Sequence, residues 1–242
     1  MGRNLARADR PCFHLTMATR AWMSWSSGKD STFALQCVAP GIEVTKLLVT
    51  VNEEADRVAM HAVRRSLLEQ QADRLGLPLH VVPIPSPCPN EVYEARMGEA
   101  MDVAVREGIR AMVFGDLFLE DVRRYRERAL APTVIEPVFP LWLRPTDELA
   151  QQMVAAGVRA VLTCVDPAQL SPSFVGRPFD EELLRDLPVG VDHCGERGEF
   201  HTFVWDAPSF SSPIPIHTGE RVSRDGFEFC DVLPGEAAAL PG

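Results

Sequence analysis

Between residues 21 and 130, short apolar runs alternate with amphipathic stretches, and this order leaves few folds open. Residues 21–25 form an apolar run, followed by a helical stretch from Asp30 to about Val38. Residues 44–51 (VTKLLVTV) are β-branched and apolar, the composition of a buried strand. Residues 54–75 read as one long helix, with Val58 and Ala62 sharing a face and Leu68, Ala72 and Leu75 three and four apart. Gly76 closes it and Pro78 follows. Residues 79–84 are a third strand, and 90–107 a helix with Met97, Met101 and Ala104 on one side. Residues 111–114 are a fourth strand, and about 119–130 a densely charged helix. This repeat predicts an α/β fold, a Rossmann-like doubly wound parallel sheet with helices on both faces. In such sheets the ligand sits beyond the carboxyl ends of the strands.

The second half has a different texture. Thr146 is placed to cap a helix whose first turn holds Asp147 and Glu148 and whose buried face holds Leu149, Met153 and Ala156. Residues 160–165 read as a strand. Beyond Pro167, Pro, Gly and short apolar runs dominate, with strands expected at 200–205, 214–217 and 227–232 and a turn at Arg224-Asp225-Gly226. The expected organisation is a tail over residues 1–20, a first domain over 21–132, and a smaller α+β domain over 133–242. Met17 is a candidate second start, because ordered-looking sequence begins near Ala21.

Composition excludes several classes. The 242 residues carry 24 basic and 34 acidic side chains, a net charge of −10, which disfavours DNA and anionic membranes as partners. No apolar run is long enough to span a bilayer, and the first twenty residues lack the apolar segment of a secretory signal. The six cysteines form no CxxC pair, which predicts a reduced, cytoplasmic protein. A homodimer is expected only as the commonest assembly.

Three polar segments carry the chemistry. The first is Ser26-Ser27-Gly28-Lys29-Asp30-Ser31, between the first strand and its helix. A Gly-containing turn at a helix N-terminus aims backbone N–H groups and the helix dipole at an anion, with hydroxyls and Lys29 adding donors. It is not the GxxxxGK[ST] loop, because position 23 is Met and position 30 is Asp. The plain alternative is a strand-to-helix turn with serine caps.

The second segment runs from Gly115 to Glu127. Gly115 allows a tight exit from the strand, Asp116 can cap a helix or hold Mg²⁺, and Arg123 and Arg126 share a face that can reach an anion. Its alternative is a solvated helix laced with pairs such as Arg123 with Glu127.

The third segment spans Val191 to Thr202 and includes Cys194-Gly195-Glu196-Arg197-Gly198-Glu199. Its two glutamates suit an amine, a cation or general-base work. His193, Cys194 and His201 offer a metal reading at no familiar zinc spacing, and Cys194 offers a nucleophile; a buried structural cysteine or a plain Gly-rich loop are the alternatives.

The first segment closely resembles the S-G-G-x-D-S loop of the PP-loop ATP pyrophosphatases, with Ser27 in place of the first Gly. Taken with C-G-E-R-G-E-F-H-T-F, close to a C-G-E-G-G-E-Y-E-T pattern, the chain resembles the diphthine–ammonia ligase (diphthamide synthetase) family over roughly residues 21–234. Cys194, Gly195, Glu196, Gly198, Glu199 and Thr202 match that pattern; Arg197 replaces a Gly, Phe200 a Tyr and His201 a Glu.

The resemblance implies that ATP is cleaved to AMP and pyrophosphate as a carboxylate is adenylated, after which ammonia displaces AMP. It implies an ATP site at Ser26, Ser27, Gly28, Lys29, Asp30, Ser31, Gly115 and Asp116, with Mg²⁺ at Asp30, Asp116 or both. Lys29, Asp30, Glu196 and Glu199 would be catalytic. Arg123, Arg126, Arg177, Cys194, Gly195, Gly198, His201 and Thr202, together with Glu196 and Glu199, would surround the acceptor. That acceptor would be a small molecule or a protein such as an elongation factor, and the departures at 197 and 201 lie where it is expected. Two other readings are an adenine-nucleotide-binding regulatory protein without turnover and a PP-loop RNA-modifying enzyme. The acidic charge and the lack of CxxC weigh against the latter.

Overall fold

A computed structural model describes residues 18–54, 57–58 and 63–235. Strand β1 (Thr19–Ser24) leads through a short loop to helix α1 (Lys29–Gln36) and then to β2 (Ile42–Asn52), a two-residue β3 (Arg57–Val58) and α2 (Arg65–Leu75). There follow β4 (Leu79–Ile84), α3 (Asn90–Arg106), β5 (Ala111–Val113), α4 (Glu120–Leu130) and β6 (Glu136–Val138). Strands β1, β2, β4, β5 and β6 pair in parallel in the order β4-β2-β1-β5-β6. The winding therefore reverses between β1 and β5, and the carboxyl ends of these two strands flank the crevice that such a reversal opens.

The parallel sheet is buried on both faces, as its alternating side chains require. Trp22, Leu48, Met112 and Phe114 pack under α3 and α4 with Ala100, Met101, Ala104 and Leu130. Ala21, Met23, Leu47, Val49 and Val113 point the other way, onto α1 and α2 through Ala34, Leu67, Leu68 and Ala72.

The helix expected from residue 54 begins only at Arg65. The reason lies in β2, whose eleven residues outrun the six of β1 and leave a free edge near its end. Val58 and Arg57 pair antiparallel with Val51 and Asn52 on that edge, so Val58 is buried as a strand residue. Ala62 lies outside the described residues, as do residues 1–17 with Met17. Gly76 ends α2 in the left-handed conformation, as expected of a C-cap.

The second sheet is antiparallel. It is built from β7 (Arg159–Val165), β8 (Pro178–Phe179), β9 (Phe200–Asp206), β10 (Ile216–Arg224) and β11 (Phe227–Pro234), and helices α5 (Thr146–Ala155) and α6 (Glu181–Asp186) pack at one end. Its order is β10-β11-β7-β8, with β9 on the far side of β7. The β10–β11 hairpin turns at Asp225 and Gly226 with φ of 52° and 84°, positive at both central positions as the right-handed strand twist favours. Thr146 is the first residue of α5 and not its cap; its hydroxyl donates to Asp192 Oδ2 at 2.6 Å instead. Strand β6, with β8 and α6, went unread in the sequence; it carries Pro137 in three residues, which an edge strand tolerates.

The two sheets share one core. Val161, Leu162, Phe203 and Val204 of the second sheet belong to the same buried cluster as Met23, Leu47 and Leu67 of the first. Among the described residues no helix is long and apolar enough to cross a membrane.

Candidate active site

The loop between β1 and α1 is held from below. Ser27 has φ +67°, a conformation that glycine adopts freely and serine does not. Its carbonyl accepts from Val204 N–H and Gln71 Nε2, both at 3.0 Å. Gln71 is fully buried; it also donates to the Val204 carbonyl at 2.6 Å and accepts from Trp25 Nε1 at 2.9 Å. One amide side chain thus fastens the loop to both sheets. Thr202 Oγ1 on β9 accepts from Lys29 N–H at 3.1 Å. Ser26 and Ser31 hydroxyls lie 3.1 Å apart, and Ser31 and Thr32 donate to the Gly28 carbonyl at 3.0 and 2.9 Å.

Lys29 is 2% exposed. Its ammonium donates to Asp30 at 2.8 Å and to the Cys194 carbonyl, and it lies 5.6 and 5.2 Å from the ring centroids of Phe179 and Phe200. Burial disfavours its charge, but Asp30, Cys194 and Glu196 together outweigh burial and its pKa is raised. Burial likewise raises the carboxyl of Asp30 against the pull of Lys29.

Gly115 follows β5 and touches α1. A Cβ built there would fall 2.9 Å from Ser31 N and 3.0 Å from Asp30 C, both backbone atoms. Gly115 is thus required for close approach of the two loops as much as for its turn. Asp116 stands beside Arg126, with Oδ2 3.6 Å from Nε, a contact too long for a hydrogen bond. Both atoms are buried and make no hydrogen bond among the described residues. Burial raises the Asp116 carboxyl against the effect of Arg126.

The third segment folds as two successive turns, with Gly195 N–H donating to the Asp192 carbonyl and Gly198 N–H to the Gly195 carbonyl. Gly195 has φ +68° and sits where a Cβ would lie 2.8 Å from the Phe200 carbonyl oxygen. Two carboxylates brace this loop. Asp192 Oδ1 accepts from Cys194 and Glu196 N–H at 2.9 and 3.3 Å, and Glu199 accepts from Asp192 and Arg197 N–H at 3.0 and 2.9 Å. Glu196 reaches across the crevice to accept from Leu117 N–H at 2.8 Å. Burial, with Asp30 and Asp116 nearby, pushes its carboxyl up to about 7 despite that bond and Lys29.

These elements line an open cavity of about 240 Å³ at the reversal of strand order, bounded by Lys29, Asp30, Asp116, Arg126, Glu196 and His201. Ser26, Ser31, Gly115, Gly195, Gly198 and Thr202 complete its wall. Ser27, Gly28 and Cys194 are buried and do not line it.

Four expected site residues stand elsewhere or act differently. Arg123 is drawn away from Arg126 by Glu127 at 2.7 Å, with its guanidinium 4.8 and 4.7 Å from the Phe139 and Trp142 rings. Arg177 pairs with Asp186 at 2.7 Å over Phe174 and does not line the cavity. Glu199, 2% exposed, is committed to loop N–H groups. Burial pushes the Cys194 thiol up, and Sγ donates to the Thr146 carbonyl, the environment of a structural cysteine. Among the described residues no group of three or more His, Cys, Asp or Glu is placed to hold a metal ion, which sets aside His193, Cys194 and His201 as a metal set.

Sequence reasoning missed Gln71, Asp192 and the aromatic pair around Lys29. A signal for Gln71 existed: it is a polar residue between Leu68 and Ala72 on the apolar face of a helix.

A Gly-containing loop at a helix N-terminus, at the reversal point of a parallel sheet, defines the class: a nucleotide-binding α/β protein of the PP-loop type. Comparison with known proteins narrows it. A model of the diphthamide synthase N-terminal domain matches residues 19–131, and one of the diphthamide synthase C-terminal domain matches residues 145–234. The chain belongs to the diphthamide synthase family. It is 27% identical over 231 residues to proteins named diphthine–ammonia ligase from Bos taurus and Homo sapiens, covering 86% of this chain and 86% of theirs. It is 30% identical over 230 residues to the protein of that name from Danio rerio, covering 86% of this chain and 90% of the relative.

Proposed function

We propose that this protein is an ATP-dependent, AMP-forming ligase that joins ammonia to a carboxylate. The observation that carries the reading is the meeting, in one open crevice, of the loop at 26–31 with the carboxylates Asp30, Asp116 and Glu196. A carboxylate is a poor electrophile because its charge repels the nucleophile, and transfer to AMP removes that charge and supplies a leaving group. In this reading the loop N–H groups and Lys29 stabilise charge on the departing pyrophosphate. Asp116 Oδ2, buried and without a hydrogen bond among the described residues, fits a cation, and Asp30 lies close enough to Asp116 to influence its ionisation. One or two carboxylates are what Mg²⁺ ordinarily takes from a protein, with phosphate oxygens and waters supplying the rest. Mg²⁺ held there would neutralise phosphate charge.

Glu196 is the base. A carboxyl whose pKa is raised to about 7 can take a proton from the ammonia nitrogen as the C–N bond forms and AMP leaves. Glu199 and Asp192 are positioning residues, because they hold the loop that aims Glu196. The expected first unit, residues 21–132, binds ATP with β6 completing its sheet, and residues 133–242 supply the loop that closes over it. The five cysteines in the described residues are all unpaired, which supports a reducing, cytoplasmic setting. Arg197 and His201 stand where the related pattern has Gly and Glu, which supports an acceptor other than that of the relatives.

The test is product identification by mass spectrometry after incubation with Mg-ATP, ammonium and a desalted small-molecule extract. AMP and pyrophosphate are expected only with extract, falling at least about 100-fold in Asp30→Ala. ATP cleavage by Asp30→Ala at the wild-type rate would refute the role of the loop.

A further inference from the structure

A second cavity, of about 580 Å³, opens between α3 and α4 on the Trp22 face of the parallel sheet. Met97, Met101, Met112, Leu130 and Tyr125 line it. It adjoins the reaction cavity, because Phe114 and Arg126 line both.

Three observations point to what it holds. The reaction cavity, at about 240 Å³, is below the roughly 300–1,000 Å³ of common ligand pockets, so nucleotide and acceptor together need more room. Arg126, at the shared wall, has a buried Nε that makes no hydrogen bond among the described residues, and its guanidinium rests 5.1 Å from the centroid of Phe114. Asp116 Oδ2 stands 3.6 Å from that Nε, too far to bond it, so the guanidinium can still grip a ligand carboxylate with paired N–H donors. Gly98, in the middle of α3, borders the second cavity, and a Cβ added there would meet nothing within 4 Å. Glycine weakens a helix interior, and at this exposed position a larger side chain would enter the open space beside the cavity.

We propose that Arg126 and the α3–α4 cavity form a subsite for a carboxylic acid with an apolar body, the acceptor of the reaction; this rests on the ligase reading above. The carboxylate lies on Arg126 at the edge of the reaction cavity, next to Asp116 and Glu196. The body passes Phe114 and lodges among the methionines, whose flexible side chains adapt to irregular apolar shapes. Adenine is the rival occupant. An adenosine threaded this way would set its ribose against Arg126, and a ribose offers a guanidinium no anion.

Calorimetric titration with acetate, hexanoate and 4-phenylbutanoate tests the subsite without turnover. Affinity is expected to rise along the series, by about fourfold for each methylene buried. Gly98→Leu should weaken 4-phenylbutanoate at least tenfold, leave ATP affinity within twofold and keep or raise the melting temperature. Arg126→Gln should weaken all the carboxylates that bind. Failure of the wild type to bind any of the three, a flat series, or equal binding by Gly98→Leu overturns the proposal. Loss of ATP binding in folded Gly98→Leu also overturns it, and gives the cavity to adenine. The ligase reading fails separately: carboxylates binding as described with no AMP formed under any condition would refute turnover and leave the carboxylate subsite standing.

Discussion

Ser27 shows how one residue carries a constraint of the whole site. Its left-handed backbone is where the related loop pattern has glycine, and its hydroxyl is buried without a hydrogen bond among the described residues. A non-glycine residue in this conformation costs on the order of 1 kcal/mol, offset here by two hydrogen bonds to its carbonyl. His201 carries a different cost. Burial, with Lys29 nearby, pushes its imidazole down to about 4. Between that value and the ordinary 6.5 the unfolded chain takes up a proton that the native protein refuses. The contribution is therefore complete above about pH 6.5 and is lost on acidification toward 4, on the order of 3 kcal/mol. Urea unfolding at pH 7 and 4.5 should show wild type losing more stability than His201→Gln. Equal losses would mean the imidazole titrates normally in the folded protein.

At the scale of elements, the decisive contact is that of β5 with the N-terminus of α1. Gly115 lets the two loops meet with backbone against backbone. In Gly115→Ala the new methyl would press on Ser31 N and Asp30 C, so the helix N-terminus must shift. We expect a loss of about 1–3 kcal/mol in stability and at least tenfold in ATP affinity, measured by denaturation and calorimetry. An unchanged ATP affinity would show that the phosphate loop does not depend on this contact. The strands and helices themselves were legible where periodicity and punctuation agreed: residues 79–84 match β4, and Asp225-Gly226 turns as read. Residues 54–64 misled because helical spacing there competes with an open strand edge on β2, which no local pattern reveals. The Arg123–Arg126 pair misled because a shared helix face does not say which side chain an aromatic surface will capture.

At the scale of the molecule, the two sheets are joined by one apolar cluster and by Gln71, whose amide contacts both. Thermal unfolding followed by far-UV circular dichroism and by tryptophan fluorescence should therefore coincide in one transition. Trp22 and Trp25 lie on or beside β1, and Trp205 lies on β9, so separate melting of the two sheets would split the signals.

By itself the sequence determined the parallel α/β architecture and the three polar segments. Strand and helix periods, glycine at turns and hydroxyls at a helix start are local properties, and local interactions are written in consecutive residues. It also placed Lys29, Asp30, Asp116 and Glu196 among the chemistry-bearing groups. Only the tertiary structure decided how they divide the work. Glu199 became a brace because it faces loop N–H groups, and Glu196 a near-neutral acid because it is largely buried at a crevice shared with Asp30 and Asp116. Arg126 stayed at the cavity while Arg123 left it, and the space between α3 and α4 opened beside it. Burial and the field of distant charges set these outcomes, and both depend on residues far apart in the chain.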